Sequence, residues 1–251
     1  GTPRTDHDGA GIGYTNGVDV HAGQRWRVRN NLFKNLSTPD TADHQWNAAV
    51  LMWRGARDTI TENNVFINVD RAIAYGLGEK PHDHRGGVIR NNVVLMAAGL
   101  YSRKRRLNAD ASVLVWHSPE TQVLHNTVVT NGNTPFSIEA RFDATQVTMA
   151  NNLTDAPVVR SEGDVARNLC KFSGMCRKYR TRYNHNNVTN SKSSWFVDIN
   201  NGDARLQSPT LIKDKNLQRY ADALHDFSGS MRGKRVTAGA FEISENAAMS
   251  E

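Results

Sequence analysis

The sequence predicts an all-β solenoid, a coil of short strands stacked repeat upon repeat. Three observations predict it. One phrase recurs along the chain: an aliphatic residue, any residue, one or two Asn, then apolar residues. Asn is correspondingly abundant, 25 of 251 residues. Each phrase is also preceded, some nine residues earlier, by a second short apolar strand, with almost no helical periodicity between them.

The elements follow in order. Residues 1–17 are rich in Gly and Asp, have no apolar stretch, and predict an irregular N-terminal segment. Such an opening fits either a chain whose leader has been removed or one that begins mid-fold. Residues 18–200 carry the repeats. The phrases are Val28-Arg29-Asn30-Asn31-Leu32-Phe33, Thr61-Glu62-Asn63-Asn64-Val65-Phe66 and Ile89-Arg90-Asn91-Asn92-Val93-Val94. They continue as Leu124-His125-Asn126-Thr127-Val128-Val129, Met149-Ala150-Asn151-Asn152-Leu153 and Tyr183 to Val188. Their leading Asn stand at 30, 63, 91, 126, 151 and 186. Preceding strands include Ala49–Trp53, Ser112–Trp116 and Phe136–Glu139. No pair is joined by a tight Asn-Gly hairpin, which disfavours antiparallel meanders. Stacked coils superpose equivalent residues, so an Asn at an inward corner can satisfy buried amides and carbonyls up the stack. On this reading Asn91 belongs to the ladder, and its loss is expected to destabilise. Asn-Asn turns in a β-sandwich are the alternative. Residues 201–251 leave the pattern and predict a small C-terminal cap over the open end, with a short helix around Leu217–Leu224.

With these phrases, and with Ala72–Gly78, Arg85-Gly86-Gly87-Val88 and the tail Gly239-Ala240-Phe241-Glu242, the chain resembles the right-handed parallel β-helix repeat proteins. The resemblance covers roughly residues 18–200. It implies a right-handed parallel β-helix of the pectate-lyase-like superfamily, exported to the periplasm or secreted. The family includes polysaccharide lyases, glycoside hydrolases, epimerases, tailspikes and adhesins, so it speaks to fold more than to function.

Composition sets the outer bounds. With 38% hydrophobic residues the chain is not compositionally disordered, and no run of 18 apolar residues exists to cross a membrane. Mean hydropathy of −0.59 favours an elongated body with much surface. The net charge of +6 suits a polyanionic partner without demanding one. Cys170 and Cys176 could close a small disulfide loop or remain two thiols. Sequons begin at Asn35, Asn152 and Asn187, as expected by chance in an Asn-rich chain.

A stacked coil presents functional residues as columns. Nine residues before Asn30, Asn63 and Asn126 stand His21, Arg54 and His117, and Arg141 stands ten before Asn151. These four predict one basic column at about 4.8 Å per coil, flanked by Trp53, Trp116, Tyr75 and Glu139. The set suits β-elimination on an acidic, uronate-containing polysaccharide. Arg54 and Arg141 would neutralise the carboxylate, His117 would take the proton, and Tyr75 or His84 would return one. Trp53 and Trp116 would stack on sugar rings, with His21, Glu139, Arg103 and Arg105 as further contacts. Insertions Ser37–Asn47, Glu79–Arg85 and Gly99–Ala111 are expected to wall a cleft.

Other chemistries have less behind them. His82-Asp83-His84 with His44 could hold a metal, but the spacing matches no structural zinc pattern, and no metal is assigned. No cofactor is required; the Ca²⁺ of some family lyases has no evident Asp-rich cluster here. The basic runs Arg103–Arg106 and Arg177–Arg182 could contact nucleic acid, but nothing else supports that partner. Hydrolysis needs two carboxylates, and Glu139 is the only acid near the column. A non-catalytic glycan-binding or structural solenoid is the reading from outside enzymology. The oligomeric state is not legible.

Overall fold

The computed structural model describes residues 15–38, 42, 45–78, 81–142, 146–161, 180–182, 186–208 and 217–243. Among the described residues the regular structure is mainly β, and the large sheets are mostly parallel. The first repeat comprises β1 (Val18–His21), β2 (Arg27–Arg29) and β3 (Leu32–Lys34). The second has β4 (Ala48–Trp53), a short β5 (Ala56–Arg57), β6 (Ile60–Glu62) and β7 (Val65–Ile67). The third has β8 (Arg71–Tyr75), β9 (His84–Arg85), β10 (Val88–Arg90) and β11 (Val93–Leu95). A five-residue helix α1 (Arg103–Leu107) precedes the fourth repeat, β12 (Ala111–Trp116), β13 (Gln122–Leu124) and β14 (Thr127–Val129). The fifth is β15 (Phe136–Arg141), β16 (Thr148–Ala150) and β17 (Leu153–Thr154), followed by β18 (Val158–Ser161) and β19 (Arg180–Arg182).

Each repeat contributes one strand to each of three sheets, always in the same order. The first sheet is β1-β4-β8-β12-β15-β18, the second β2-β6-β10-β13-β16 and the third β3-β7-β11-β14-β17. Among the described strands only β19 joins the first sheet antiparallel. Register holds equivalent residues in line. Val18, Val50, Ile73, Val113, Ile138 and Val158 form one continuous row of partners facing the interior. Valine and isoleucine suit this position because branched side chains pack well on a pleated surface. The third sheet adds Phe33 and Phe66, whose rings stack with centroids 5.0 Å apart.

The two asparagines of each phrase do different work. The leading residues Asn30, Asn63, Asn91, Asn151 and Asn186 all have φ between 52° and 58°, the left-handed corner that Asn tolerates best after Gly. In the fourth repeat this place belongs to His125 at φ 52°, so Asn126 is a second-position residue. The ladder is built by the second positions. Asn31, Asn64, Asn92, Asn126 and Asn152 each donate backbone and side-chain N–H to the Oδ1 of the next, ending on Asn187, at 2.9–3.1 Å. Their amides also reach back to carbonyls of an earlier repeat, as Asn92 does to Thr61 at 2.9 Å. Asn91, expected in the ladder, instead meets the C-terminal segment, accepting from Arg232 at 2.9 Å and donating to the His225 carbonyl at 2.8 Å. Ladder membership also buries Asn152 and Asn187, which removes both sequons from solvent in the folded chain.

The C-terminal segment differs from the expected end cap. Its helical content among the described residues is a 3-10 turn, Ala221–Ala223, rather than a helix over 217–224. Residues 217–243 run along the side of the stack. They touch Asn91, Gln122, His125 and Asn151 in three successive repeats. A small hairpin, β20 (Phe196–Asp198) and β21 (Asp203–Leu206), brings Phe196 and Ala204 onto the outer face of the third sheet, against Val93, Leu95 and Val129.

Candidate functional site

Side chains alternate along a strand, so residues two apart share a face. On the outer face of the first sheet, register pairs His21 with Trp53 and Trp116 with Arg141. Tyr75 pairs with Met52 and Val115, one step earlier, and so lies in an interior row. The predicted column therefore divides. His21 and Arg141 stand in the row of Trp53 and Trp116. Arg54 and His117 each follow that row, at left-handed corners with φ 54° and 46°. Counting residues could not see the turn of the backbone at the strand end.

Two predicted groups face the wrong way for a substrate. Tyr75 is fully buried, its hydroxyl bonded to that of Thr61 at 2.9 Å, and burial pushes its pKa up to about 12. His84 is buried beside it, with Nε2 on the Thr59 hydroxyl at 2.9 Å and Nδ1 on that of Ser118 at 2.7 Å. Burial brings its pKa down to about 3. Both side chains belong to a polar network inside the stack and meet no solvent. Arg105 is equally removed from a substrate. At 2% exposure it reaches Asp70 Oδ1 at 3.1 Å and the Thr38 hydroxyl at 2.8 Å, while Arg103 on the same helix is exposed. His117 is buried and stacks on Phe142 at 4.8 Å.

Arg141 is already neutralised. Its guanidinium forks onto Glu139 at 3.1 and 2.7 Å and onto Asp110 at 3.0 Å, above the Trp116 ring at 4.2 Å. Asp110 also receives Arg71 at 2.5 Å. Burial alone would raise the Asp110 pKa, but the two guanidiniums outweigh it and hold the carboxyl below its usual range. Asp110 and Arg71 were missed because each stands just outside the counted register, at or before the start of its strand.

The accessible remainder gathers at one corner. Trp53, Arg54, Gly55, Leu77, Gly78, Pro81, His82 and Asp83 line a cleft of about 690 Å³. The Arg54 guanidinium lies over the Trp53 ring at 4.5 Å, and the His21 ring meets its edge at 5.1 Å. Asp19 accepts the Trp53 indole N–H at 2.8 Å and fixes the ring. Asp83 holds the cleft floor through three backbone N–H groups, Arg54 at 3.1 Å, Leu77 at 3.0 Å and Gly78 at 2.8 Å. Gly76 follows Tyr75, between the levels of Trp53 and Trp116. Its φ of 66° and a Cβ position 1.9 Å from the Trp116 carbonyl oxygen exclude any side chain. Asp83→Ala is expected to cost about 2–3 kcal/mol, since three partly buried backbone donors lose the carboxylate they share. Chemical denaturation of both proteins measures it.

His82, Asp83 and His84 diverge, to solvent, to backbone amides and to the interior, so they converge on no common ion. Among the described residues no group of three or more His, Cys, Asp or Glu is placed to hold a metal. His44, Cys170 and Cys176 lie outside the described residues. No family model matches the chain, and neither does any curated protein or solved structure.

Proposed function

We propose that the protein is an exported right-handed parallel β-helix solenoid of the pectate-lyase-like kind, and that it captures an acidic polysaccharide in the cleft at Trp53 and Arg54. The stacked register and the asparagine ladder support the solenoid. The observation that carries the binding function is the pairing of an aromatic ring with an uncommitted cationic head in one cleft. Arg54 has a ring partner but no ion pair among the described residues. Aromatic faces stack on sugar rings and guanidinium forks match carboxylates. At about 690 Å³ the cleft is within the usual range for a small-ligand site.

β-Elimination is the second reading, favoured by exposed His82 beside Arg54 in the same cleft. There Arg54 would neutralise the uronate carboxylate and the His82 imidazole would take the α-proton, as the C4–C5 double bond forms, the C4–O bond breaks and the leaving oxygen takes a proton from solvent. Arg141 is a weaker choice for the carboxylate because Glu139 and Asp110 already occupy it. Affinity electrophoresis through uronic-acid polysaccharides, with absorbance of the unsaturated product followed in parallel, tests both readings. Retardation is expected for the wild type. Trp53→Ala and Arg54→Gln are each expected to weaken binding about tenfold, the size of one charge-assisted or stacking contact. Product formation lost in His82→Gln would add the lyase activity. Unretarded migration through every polymer would refute the binding function.

A further inference from the structure

A second cationic site lies on the second sheet, away from the cleft. Strand β2 carries Arg27 and Arg29, two residues apart and so on one face. Register continues the outer row from Arg29 through Glu62 to Arg90. The C-terminal segment crosses this face, with Arg90 donating to the Asp222 carbonyl and Asn91 to that of His225. Between the row and the segment is a groove of about 410 Å³, lined by the three arginines, Glu62 and parts of 221–229.

Glu62 is engaged chiefly by Arg90 within the groove, and the two aspartates of the segment by other partners. Glu62 Oε2 accepts two bonds from Arg90 at 2.8 and 2.6 Å, and its Oε1 stands 3.5 Å from Arg27 Nε. Asp226 accepts the backbone N–H of Ser230 at 2.8 Å and of Glu242 at 2.9 Å. Asp222 accepts from the Gln122 amide at 2.7 Å. Arg29 is exposed, and its guanidinium has no hydrogen bond or ion pair among the described residues. Among the described residues Arg27 has only the 3.5 Å contact to Glu62.

We infer that this groove binds a tetrahedral oxyanion, a sulfate or phosphate group, between Arg29 and Arg27. Two guanidinium forks from one face of β2 offer more donors than a single planar carboxylate accepts, and Glu62 already supplies a carboxylate. Three free oxygens on a sulfate or phosphate ester match them. The groove is on another sheet from the Trp53 cleft, so the inference stands apart from the proposed function.

The test is calorimetric titration of the whole chain, in a Trp53→Ala/Arg54→Gln background that removes both proposed contacts of the cleft. Inorganic sulfate, inorganic phosphate and a sulfated oligosaccharide are the probes, at low ionic strength. Saturable binding is expected, weakened about tenfold or more by Arg29→Gln. Arg57→Gln, a change to an exposed arginine on β5, is expected to leave it unchanged. Much tighter binding of the oligosaccharide would assign the groove to esters on a polymer, and comparable affinities would assign it to free anions. No saturable binding by any probe, or equal binding by Arg29→Gln, would overturn the inference.

Discussion

Asn64→Ala is expected to destabilise the protein by about 3–5 kcal/mol, while Asn63→Gly, one residue earlier, changes stability by less than about 1 kcal/mol. Asn64 is buried and sits mid-ladder. Its Oδ1 accepts the backbone and side-chain N–H of Asn31, both at 3.0 Å. Its amide donates to Asn92 Oδ1 at 3.1 Å and to the Val28 carbonyl at 3.0 Å. Alanine would leave the Val28 carbonyl and Asn92 Oδ1 short of a donor inside the stack, and would take the acceptor from exposed Asn31; each buried orphan costs about 1–3 kcal/mol. Asn63 contributes mainly its left-handed backbone, φ 54°, which glycine adopts freely. Equilibrium urea unfolding of the two variants measures the difference. Equal effects would show that the two asparagines are interchangeable and that the ladder carries no special stability.

Acid is expected to unfold the protein through two buried histidines. His84 and His125 both have pKa values of about 3, lowered mainly by burial, and for His125 also by Arg232. The unfolded chain holds these groups near 6.5 and therefore binds more protons. Their contribution is complete above about pH 6.5 and is lost as pH falls toward about 3. Between pH 7 and pH 4 the loss is about 3 kcal/mol per histidine, a large part of an ordinary folding free energy. Geometry gives the reason at His125. Its Nδ1 donates to the Thr237 carbonyl at 3.0 Å and its Nε2 accepts the Asn151 amide at 2.8 Å, so protonation would set two donors face to face. Asp110, held low by Arg71 and Arg141, adds to the loss at lower pH, whereas Asp70, raised by burial, opposes it. Thermal midpoints across that range should fall steeply in the wild type and less steeply in His125→Gln. Identical slopes would mean that His125 is not a source of the acid sensitivity.

The repeat and its parallel sheets were legible because stacking forces the same residue types to recur in register, and an Asn pair between aliphatic residues is hard to mistake. What was not legible is which Asn does which task. Both members are Asn, and only backbone geometry separates the left-handed corner from the buried ladder. His125 at a corner shifted one repeat by a residue and so put His117 in the row of His21 and Arg141; Arg54 entered that row because Trp53, the partner of His21, stands ten residues before Asn63 rather than nine. Tyr75 and His84 read as chemistry because polar residues in an apolar setting look functional. In place they bond to Thr59, Thr61 and Ser118, partners scattered over neighbouring repeats. Trp53 and Arg54 were legible as an aromatic–cation pair, but Asp83, which fixes the floor beneath them, stood in a loop expected to wall a cleft and was itself read only as a possible metal ligand.

Hydrogen–deuterium exchange of the whole protein, with and without a uronic-acid oligosaccharide, tests the cleft most directly. Protection is expected at Trp53–Gly55, Leu77, Gly78, His82 and Asp83, with β2 unchanged. Saturating oligosaccharide that leaves those amides exchanging at their free rate, or that protects a different face, would contradict the assignment of the cleft.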